Sequence, residues 1–177
     1  MPAALVAALA LAGPFGLRHI PRPPYPFHAF KPGPAERQPE AARLAGGWRL
    51  ELRRDTFTGA TRCRLDMRRV RFSGGVVTFS FGPQVDTANA LFRIDGGPVR
   101  SAGEVGPEAA GLGAALLSGN TRNPSDGRVI LPWSQLKTAG RVDIRPNSRA
   151  AVRAFPVGEL REAVEQARAR GCSDLRA

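Results

Sequence analysis

The sequence predicts a mainly β protein, an antiparallel β-sandwich or barrel-like domain with a C-terminal α-helix and one disulfide. Over 48–52, apolar residues alternate with charged ones, the pattern of a strand with one buried and one solvated face. The pair Gly74-Gly75 then marks a turn between two strand-like runs, as in an antiparallel meander. Cys63 lies near the start of this region and Cys172 near its end, so a bond between them would link both ends of one domain.

The remaining strands follow in chain order. In 61–72 the apolar residues change parity after Met67, so we predict one strand with a β-bulge near Arg68. The next strand is predicted over 77–81, where Val77, Phe79 and Phe81 alternate inward. Further strands are predicted over 91–94, 129–131 and 142–144, with a return strand beginning at Val99.

Two helices are predicted. Pro107 suits the first turn of a short helix over 107–117, because the missing N–H of proline is tolerated there. Apolar residues recur at helical spacing over 157–170, and Gly171 is a typical C-terminal stop. Cys172 follows directly, so a disulfide would pin this helix to the second strand.

The two cysteines favour a structural disulfide. Cys63 and Cys172 are 172 minus 63, or 109, positions apart, unlike the CxxC spacing of exchange chemistry. Closing a loop of that size removes denatured-state entropy worth about 4 to 5 kcal/mol in the chain-entropy model. Such bonds persist in oxidising compartments, whereas two cysteines of a cytosolic protein would more often be unpaired buried thiols or reactive groups.

The N-terminal part of the chain predicts export. Residues 1–12 are almost wholly apolar and end in a small-x-small pattern, so we interpret them as a signal peptide cut after Ala12, with a buried helix as the alternative. Residues 13–45 hold eight of the sixteen prolines and predict a linker or arm. Residues 46–177 then form the β-rich domain, and no apolar run reaches the roughly 20 residues of a transmembrane helix. The predicted location is periplasmic or secreted.

Known catalytic motifs are absent from the sequence of the β-rich domain. Residues 46–177 contain no histidine for a Ser-His or Cys-His pair, and the chain has no GxSxG, Walker or GxGxxG motif. We therefore predict a non-enzymatic protein without cofactor or metal. The alternative is an enzyme that uses carboxylates alone, for which the candidates are Asp55, Asp66, Asp86, Asp95, Asp126 and Asp143.

A net charge of +11 invites a hypothesis of polyanion binding. On one continuous strand, Arg69 and Arg71 would face one way and Arg62, Arg64 and Arg68 the other, which spreads the charge over both faces. Lysine occurs only twice, so a GC-rich genome explains the arginine bias without a ligand. Tyrosine is absent from 46–177, which disfavours base stacking and hence nucleic acid. If an anion binds, the candidates are Arg62, Arg64, Arg68, Arg69 and Arg71.

Several short segments together resemble the bacterial invasion-associated locus B family over residues 46–172. They are Gly47-Trp48, Arg62-Cys63-Arg64-Leu65, Phe92-Arg93-Ile94-Asp95-Gly96-Gly97, Val129-Ile130-Leu131-Pro132 and Phe155-Pro156-Val157. The resemblance implies a small, exported β-rich domain at the periplasm or cell surface. It implies no enzymatic chemistry and no catalytic residue.

These observations lead to one functional hypothesis and two alternatives. We expect an exported, monomeric, non-enzymatic protein that binds an unidentified envelope component or protein partner. An arginine-rich module for nucleic acid, lipopolysaccharide phosphate or acidic polymer is the chief alternative, and the carboxylate-only enzyme is the other. Trp48 and Trp133 are interpreted as core anchors because each lies at the apolar edge of a strand.

Overall fold

The computed structural model describes residues 40–113 and 125–175. The predicted signal peptide and the arm up to residue 39 lie outside the described residues. The strands are β1 Glu40–Arg43, β2 Arg49–Arg54, β3 Thr61–Met67, β4 Val70–Ser73, β5 Val76–Ser80, β6 Leu91–Ile94, β7 Arg100–Ser101, β8 Arg128–Pro132, β9 Arg141–Arg145 and β10 Arg153–Pro156. The α-helices are α1 Ala102–Gly111 and α2 Leu160–Ala169, and short 3₁₀ turns span Ala45–Gly47 and Trp133–Gln135.

The strands form two antiparallel sheets, which confirms the predicted mainly β class. The larger sheet has six strands in the order β1-β2-β3-β4-β5-β8, and the smaller has four in the order β10-β9-β6-β7. Strands β2 to β5 pair with their sequence neighbours, as the meander predicted. Strand β8 joins the larger sheet beside β5 after the chain has passed through the smaller sheet.

Aromatic side chains join the two sheets at their inner faces. Phe155 of β10 contacts Phe79 of β5 and Phe81, with ring centroids 5.0 and 5.6 Å apart. Trp133 packs against Phe72 at 5.2 Å and is 3% exposed, while Trp48 is fully buried. The interpretation of both tryptophans as core anchors is therefore confirmed. Buried residues from both sheets and both helices form one contiguous apolar core.

The predicted disulfide is present between Cys63 on β3 and Cys172 just after α2. Their Cα atoms are 5.6 Å apart, a normal separation for a disulfide, and both side chains are buried. A second link lies nearby, because the backbone N–H of Cys63 donates to the Asp174 carboxylate at 2.8 Å. The C-terminal helix is thus fastened to the larger sheet, as predicted.

The predicted bulge near Arg68 is wrong. Residues 61–72 form two antiparallel strands, β3 and β4, that are joined by a turn at Arg68-Arg69, with Met67 opposite Val70. A turn reverses the chain, so it explains the change of apolar parity as well as a bulge does. Arg68 has φ +49°, a left-handed conformation that glycine usually adopts in turns. Because an arginine occupies this position, the sequence carries no turn signal here.

The boundaries of several elements also differ from prediction. Strand β1 pairs with β2, so Glu40–Arg43, which were predicted to belong to the linker or arm, are part of the larger sheet. Helix α1 starts at Ala102, since the Ser101 hydroxyl accepts a hydrogen bond from the N–H of Gly103, and Pro107 lies inside it. The predicted end of this helix, beyond 113, lies outside the described residues. Helix α2 starts three residues later than predicted because the N–H groups of Val157 and Gly158 donate to Gly140 instead.

In the ranges that the structure describes, no helix has both the length and the apolar character needed to cross a membrane.

Candidate anion-binding site

The turn at Arg68-Arg69 changes where the strand arginines point. Antiparallel partners lie on the same face of a sheet, and Asp66 of β3 lies opposite Arg71 of β4. The outward residues of β2, β3 and β4 therefore share one surface, the outer face of the larger sheet. The predicted spreading of this charge over two faces is wrong, since it assumed one continuous strand.

Part of this outer face is occupied by a network that we call the charged ladder, which consists of Arg53, Glu51, Arg64, Asp66 and Arg71. Arg53 donates to Glu51 at 2.7 Å, and Arg64 pairs with the other oxygen of that carboxylate. Asp66 accepts from Arg64 at 2.6 Å and from Arg71 at 2.9 Å. Each of the two carboxylates therefore binds one arginine of its own strand and one arginine of a neighbouring strand.

The two carboxylates of the ladder offset two of its three positive charges. The Glu51 side chain is only 11% exposed although it lies on the outer face, because the two arginines cover it. The hydrogen bond from Arg53 and the charge of Arg64 hold the pKa of Glu51 below its ordinary value of 4.5, against the opposing effect of burial. Arg64 is engaged with both carboxylates, so it is a poor candidate for binding an external anion.

A cleft of about 490 Å³ lies beside the ladder on the same face. Its floor is formed by outward residues of β4, β5 and β8, and Leu112 and Gly113, just beyond α1, line it as well. The floor carries both hydroxyl groups and apolar side chains. The hydroxyl residues are Ser73, Thr78 and Ser80, and the apolar ones include Val76 and Ile130.

Four arginines and one aspartate give the cleft a formal excess of three positive charges. The arginines are Arg68, Arg69, Arg71 and Arg128, and the aspartate is Asp66. Arg71 pairs with Asp66, and Arg128 pairs with Asp126 at 2.7 Å. In the described part of the chain, Arg68 and Arg69 form no ion pair, so their guanidinium groups are available to an external anion.

The backbone at Arg68 adds a second observation. A residue other than glycine with φ +49° is held in a sparsely populated conformation, at a cost that glycine would avoid. Such residues concentrate at functional sites. The turn therefore carries a cationic side chain at position 68, beside the cleft, where a glycine would avoid the strain but would have no side chain.

The structure brings together three of the five arginines that the sequence suggested. Arg68, Arg69 and Arg71 line the cleft, whereas Arg62 and Arg64 do not. Arg128 was missed in the sequence, because it is isolated from the other arginines in the chain. It reaches the cleft through the pairing of β8 with β5, which sets Arg128 opposite Ser80.

A smaller cavity of about 310 Å³ lies between the loop after β8 and helix α2. Its cations are largely engaged within the protein. Arg168 donates two hydrogen bonds to the carbonyl oxygen of Leu175, and Arg161 pairs with Glu165 at 3.3 Å. This cavity is therefore less suited to an anion than the cleft.

The six aspartates that could have served a carboxylate-only enzyme are engaged locally. Asp55 and Asp86 accept backbone hydrogen bonds within their own loops, and Asp95 accepts from the N–H groups of residues 140 and 141. Asp143 is buried between two arginines, and the hydrogen bond from Arg141 is the main reason that its pKa is lowered. Asp66 and Asp126 pair with arginine, as described above.

No group of three or more histidine, cysteine, aspartate or glutamate side chains in residues 40–113 and 125–175 could hold a metal ion. The described features define the chain as a two-sheet, disulfide-linked β protein with a cationic cleft on the outer face of its larger sheet. No protein-family model matches the chain, and neither a curated protein nor a solved structure resembles it significantly.

Proposed function

We propose that the protein is an exported, non-enzymatic binding protein whose ligand is a small phosphate-bearing anion held in the cleft. The observation that carries this proposal is the pair Arg68 and Arg69, two guanidinium groups without an ion pair in the described chain, at a concave site of about 490 Å³. Small-molecule sites typically have volumes of about 300 to 1,000 Å³. The ligand therefore has the size of a phosphorylated small molecule or headgroup.

The chemistry of the cleft favours phosphate over other anions. Arginine presents a planar fork of N–H donors that matches the oxygens of a phosphate, and such charge-assisted hydrogen bonds are stronger than neutral ones. The hydroxyl groups of Ser73, Thr78 and Ser80 line the floor and can donate to further oxygens. The apolar residues between them suit the carbon skeleton of an organic phosphate.

Export is supported by two features of the chain. The disulfide between Cys63 and Cys172 is of the kind that persists in an oxidising compartment. The apolar start of the sequence has the pattern of a signal peptide. We therefore propose a periplasmic or secreted location, in which the ligand is an envelope component or a solute of that compartment.

Titration calorimetry with inorganic pyrophosphate at low salt tests the proposal. The double substitution Arg68→Gln with Arg69→Gln removes both unpaired arginines, and we expect the affinity to fall about 100-fold, because each charge-assisted hydrogen bond contributes roughly 1.5 to 3 kcal/mol. Acetate, which has one singly charged carboxylate, should bind more weakly than pyrophosphate in the wild-type protein.

The matched control is Arg145→Gln with Arg149→Gln. Arg145 ends β9 of the smaller sheet and Arg149 lies in the loop after it, and both are exposed, form no ion pair in the described chain and do not line the cleft. The control removes the same number of charges as the cleft variant but none from the cleft. Its affinity for pyrophosphate should therefore stay within about twofold of wild type at moderate salt. Equal losses in both variants would mean diffuse charge attraction, and absence of wild-type binding would refute the proposal.

A further inference from the structure

The β2–β3 hairpin carries the most exposed large apolar side chain among the described residues. Phe57 lies in the loop between Arg54 and Thr61, and 97% of its surface is accessible to solvent. The next most exposed, Val99, is 63% accessible. A nearly fully solvated phenylalanine does not gain the free energy that comes from burying apolar surface. If the loop holds it in this position, the exposure indicates a role outside the core.

The loop does hold it there. The Asp55 carboxylate accepts hydrogen bonds from the backbone N–H groups of Phe57 and Thr58, both at 2.9 Å. The backbone of Asp55 also bonds Gly59 and Ala60, each at 2.8 Å. The hydrogen bond from the N–H of Thr58 contributes most to holding the pKa of Asp55 below its ordinary value, and that from Phe57 contributes next. The carboxylate is therefore a charged acceptor at neutral pH. The exposure of Phe57 is thus a property of an internally bonded loop.

Among the described residues, the outer part of this hairpin extends past its neighbours in the sheet. Within those residues, the pairing of β1 with β2 reaches Leu52, and the pairing of β4 with β3 reaches Leu65. The hairpin continues beyond these pairs as the two strands β2 and β3. Its base is anchored, because Cys63 lies opposite Leu52 and forms the disulfide to Cys172.

Arginines surround the apolar tip. Arg53 and Arg62 lie directly opposite one another, Arg54 is next to the loop, and all three are exposed. Like charges in opposite positions destabilise a strand pair, so the arrangement favours a negatively charged surface next to the hairpin. Arg53 also donates a hydrogen bond to Glu51, so Arg54 and Arg62 are the arginines that would chiefly contact such a surface.

We infer that this hairpin binds the surface of an anionic lipid bilayer. Phe57 would enter the boundary between headgroups and acyl chains, where aromatic side chains are favoured, and Arg54 and Arg62 would contact lipid phosphates. A single aromatic residue with two or three cations gives weak, reversible binding. The site is separate from the cleft and does not depend on the proposed ligand there.

Co-sedimentation with vesicles tests the inference, with vesicles of phosphatidylcholine containing phosphatidylglycerol and vesicles of phosphatidylcholine alone. We expect wild-type binding to the anionic vesicles only, and Phe57→Ala should weaken it about tenfold. Arg54→Gln with Arg62→Gln should weaken it by at least that factor, because each juxtamembrane cation contributes about fivefold. Val152→Ala, at another exposed apolar residue, is the matched control and should change nothing.

A second readout reports the position of the tip directly. Phe57→Trp should retain vesicle binding, and its emission should shift to shorter wavelength on anionic vesicles, whereas the buried Trp48 and Trp133 give a constant background. The inference would be overturned if the wild-type protein did not bind anionic vesicles, or if it retained an envelope protein through Phe57 instead of binding vesicles. It would also be overturned if vesicle binding survived Phe57→Ala but were lost with Arg68→Gln and Arg69→Gln.

Discussion

The charged ladder and the cleft use the same residue type on the same face of one sheet, yet they differ in what each arginine contacts. In the ladder, Arg64 is shared between Glu51 and Asp66. At the cleft, Arg68 and Arg69 form no ion pair with the described carboxylates and line a concave surface. The difference teaches that a high arginine content by itself says little about function. The informative feature is a group of cations without carboxylate partners next to space for a ligand.

Removing the disulfide has the largest expected effect and tests whether the cleft depends on the same support as the ladder. Cys63→Ser with Cys172→Ser should lower the free energy of unfolding by about 2 to 5 kcal/mol, measured by urea denaturation. Cys63 lies on β3 beneath the ladder, whereas β4, β5 and β8 form the floor of the cleft. Pyrophosphate affinity of the folded double variant should therefore stay within about twofold of wild type. A tenfold loss would show that the two regions are not independent.

Glu51→Gln tests the structural role of the ladder. The substitution removes a carboxylate that is only 11% exposed and leaves Arg53 and Arg64 without one of their carboxylates. We expect the free energy of unfolding to fall by about 1 to 2 kcal/mol. Glu40→Gln is the control, since Glu40 is exposed and forms no ion pair in the described chain, and it should change stability by less than about 0.5 kcal/mol. Equal effects of the two substitutions would contradict this role.

Acid should weaken the ion pairs of Glu51 in the ladder and of Asp143 in the smaller sheet, whereas the arginines of the cleft stay charged. The pKa of Glu51 and that of Asp143 are lowered in the folded protein from ordinary values of 4.5 and 3.8. Their stabilising contributions are therefore complete above those values and are lost as the pH falls below them. Thermal unfolding followed by circular dichroism should give a midpoint that falls below about pH 4.5, and less steeply in Glu51→Gln. A midpoint that rises on acidification would contradict the pairing.

Arg68→Gly has the smallest expected effect on stability. Its sign is opposite to that of Glu51→Gln in the ladder, because Arg68→Gly should stabilise the protein. Glycine adopts φ +49° without steric cost, so the free energy of unfolding should rise by about 0.5 to 1 kcal/mol. Pyrophosphate binding should weaken at the same time, because one of the two unpaired guanidinium groups is lost. A stabilised variant with undiminished affinity would show that Arg68 does not contact the ligand.

The sequence predicted what depends on local periodicity and on the cysteines. Strands β2 and β5 alternate in the expected way, and the cysteine count and spacing suggested the bond between Cys63 and Cys172. Strand β10 was not assigned because it spans four residues and ends in proline. The turn at Arg68 was interpreted as a bulge because neither of its residues is one that typically forms a turn.

The candidate site was only partly predictable for a related reason. Arg68, Arg69 and Arg71 are close in the chain, so their clustering was visible. The sequence did not show that Arg71 belongs to the ladder whereas Arg68 and Arg69 form no ion pair in the described chain, since this depends on which carboxylates lie opposite across β2, β3 and β4. Arg128 joins them only through the pairing of β5 with β8, a contact between distant parts of the chain that no local pattern indicates.

The most direct test of the central claim is an NMR titration of the ¹⁵N-labelled protein with inorganic pyrophosphate. The account predicts chemical-shift changes at the backbone amides and guanidinium Nε–H groups that line the cleft, above all at Arg68, Arg69 and Arg128. The signals of Arg145 and Arg149, at the end of β9 in the smaller sheet and in the loop after it, should not move. Shifts of similar size at both groups, or shifts centred on the ladder, would contradict the assignment of anion binding to the cleft.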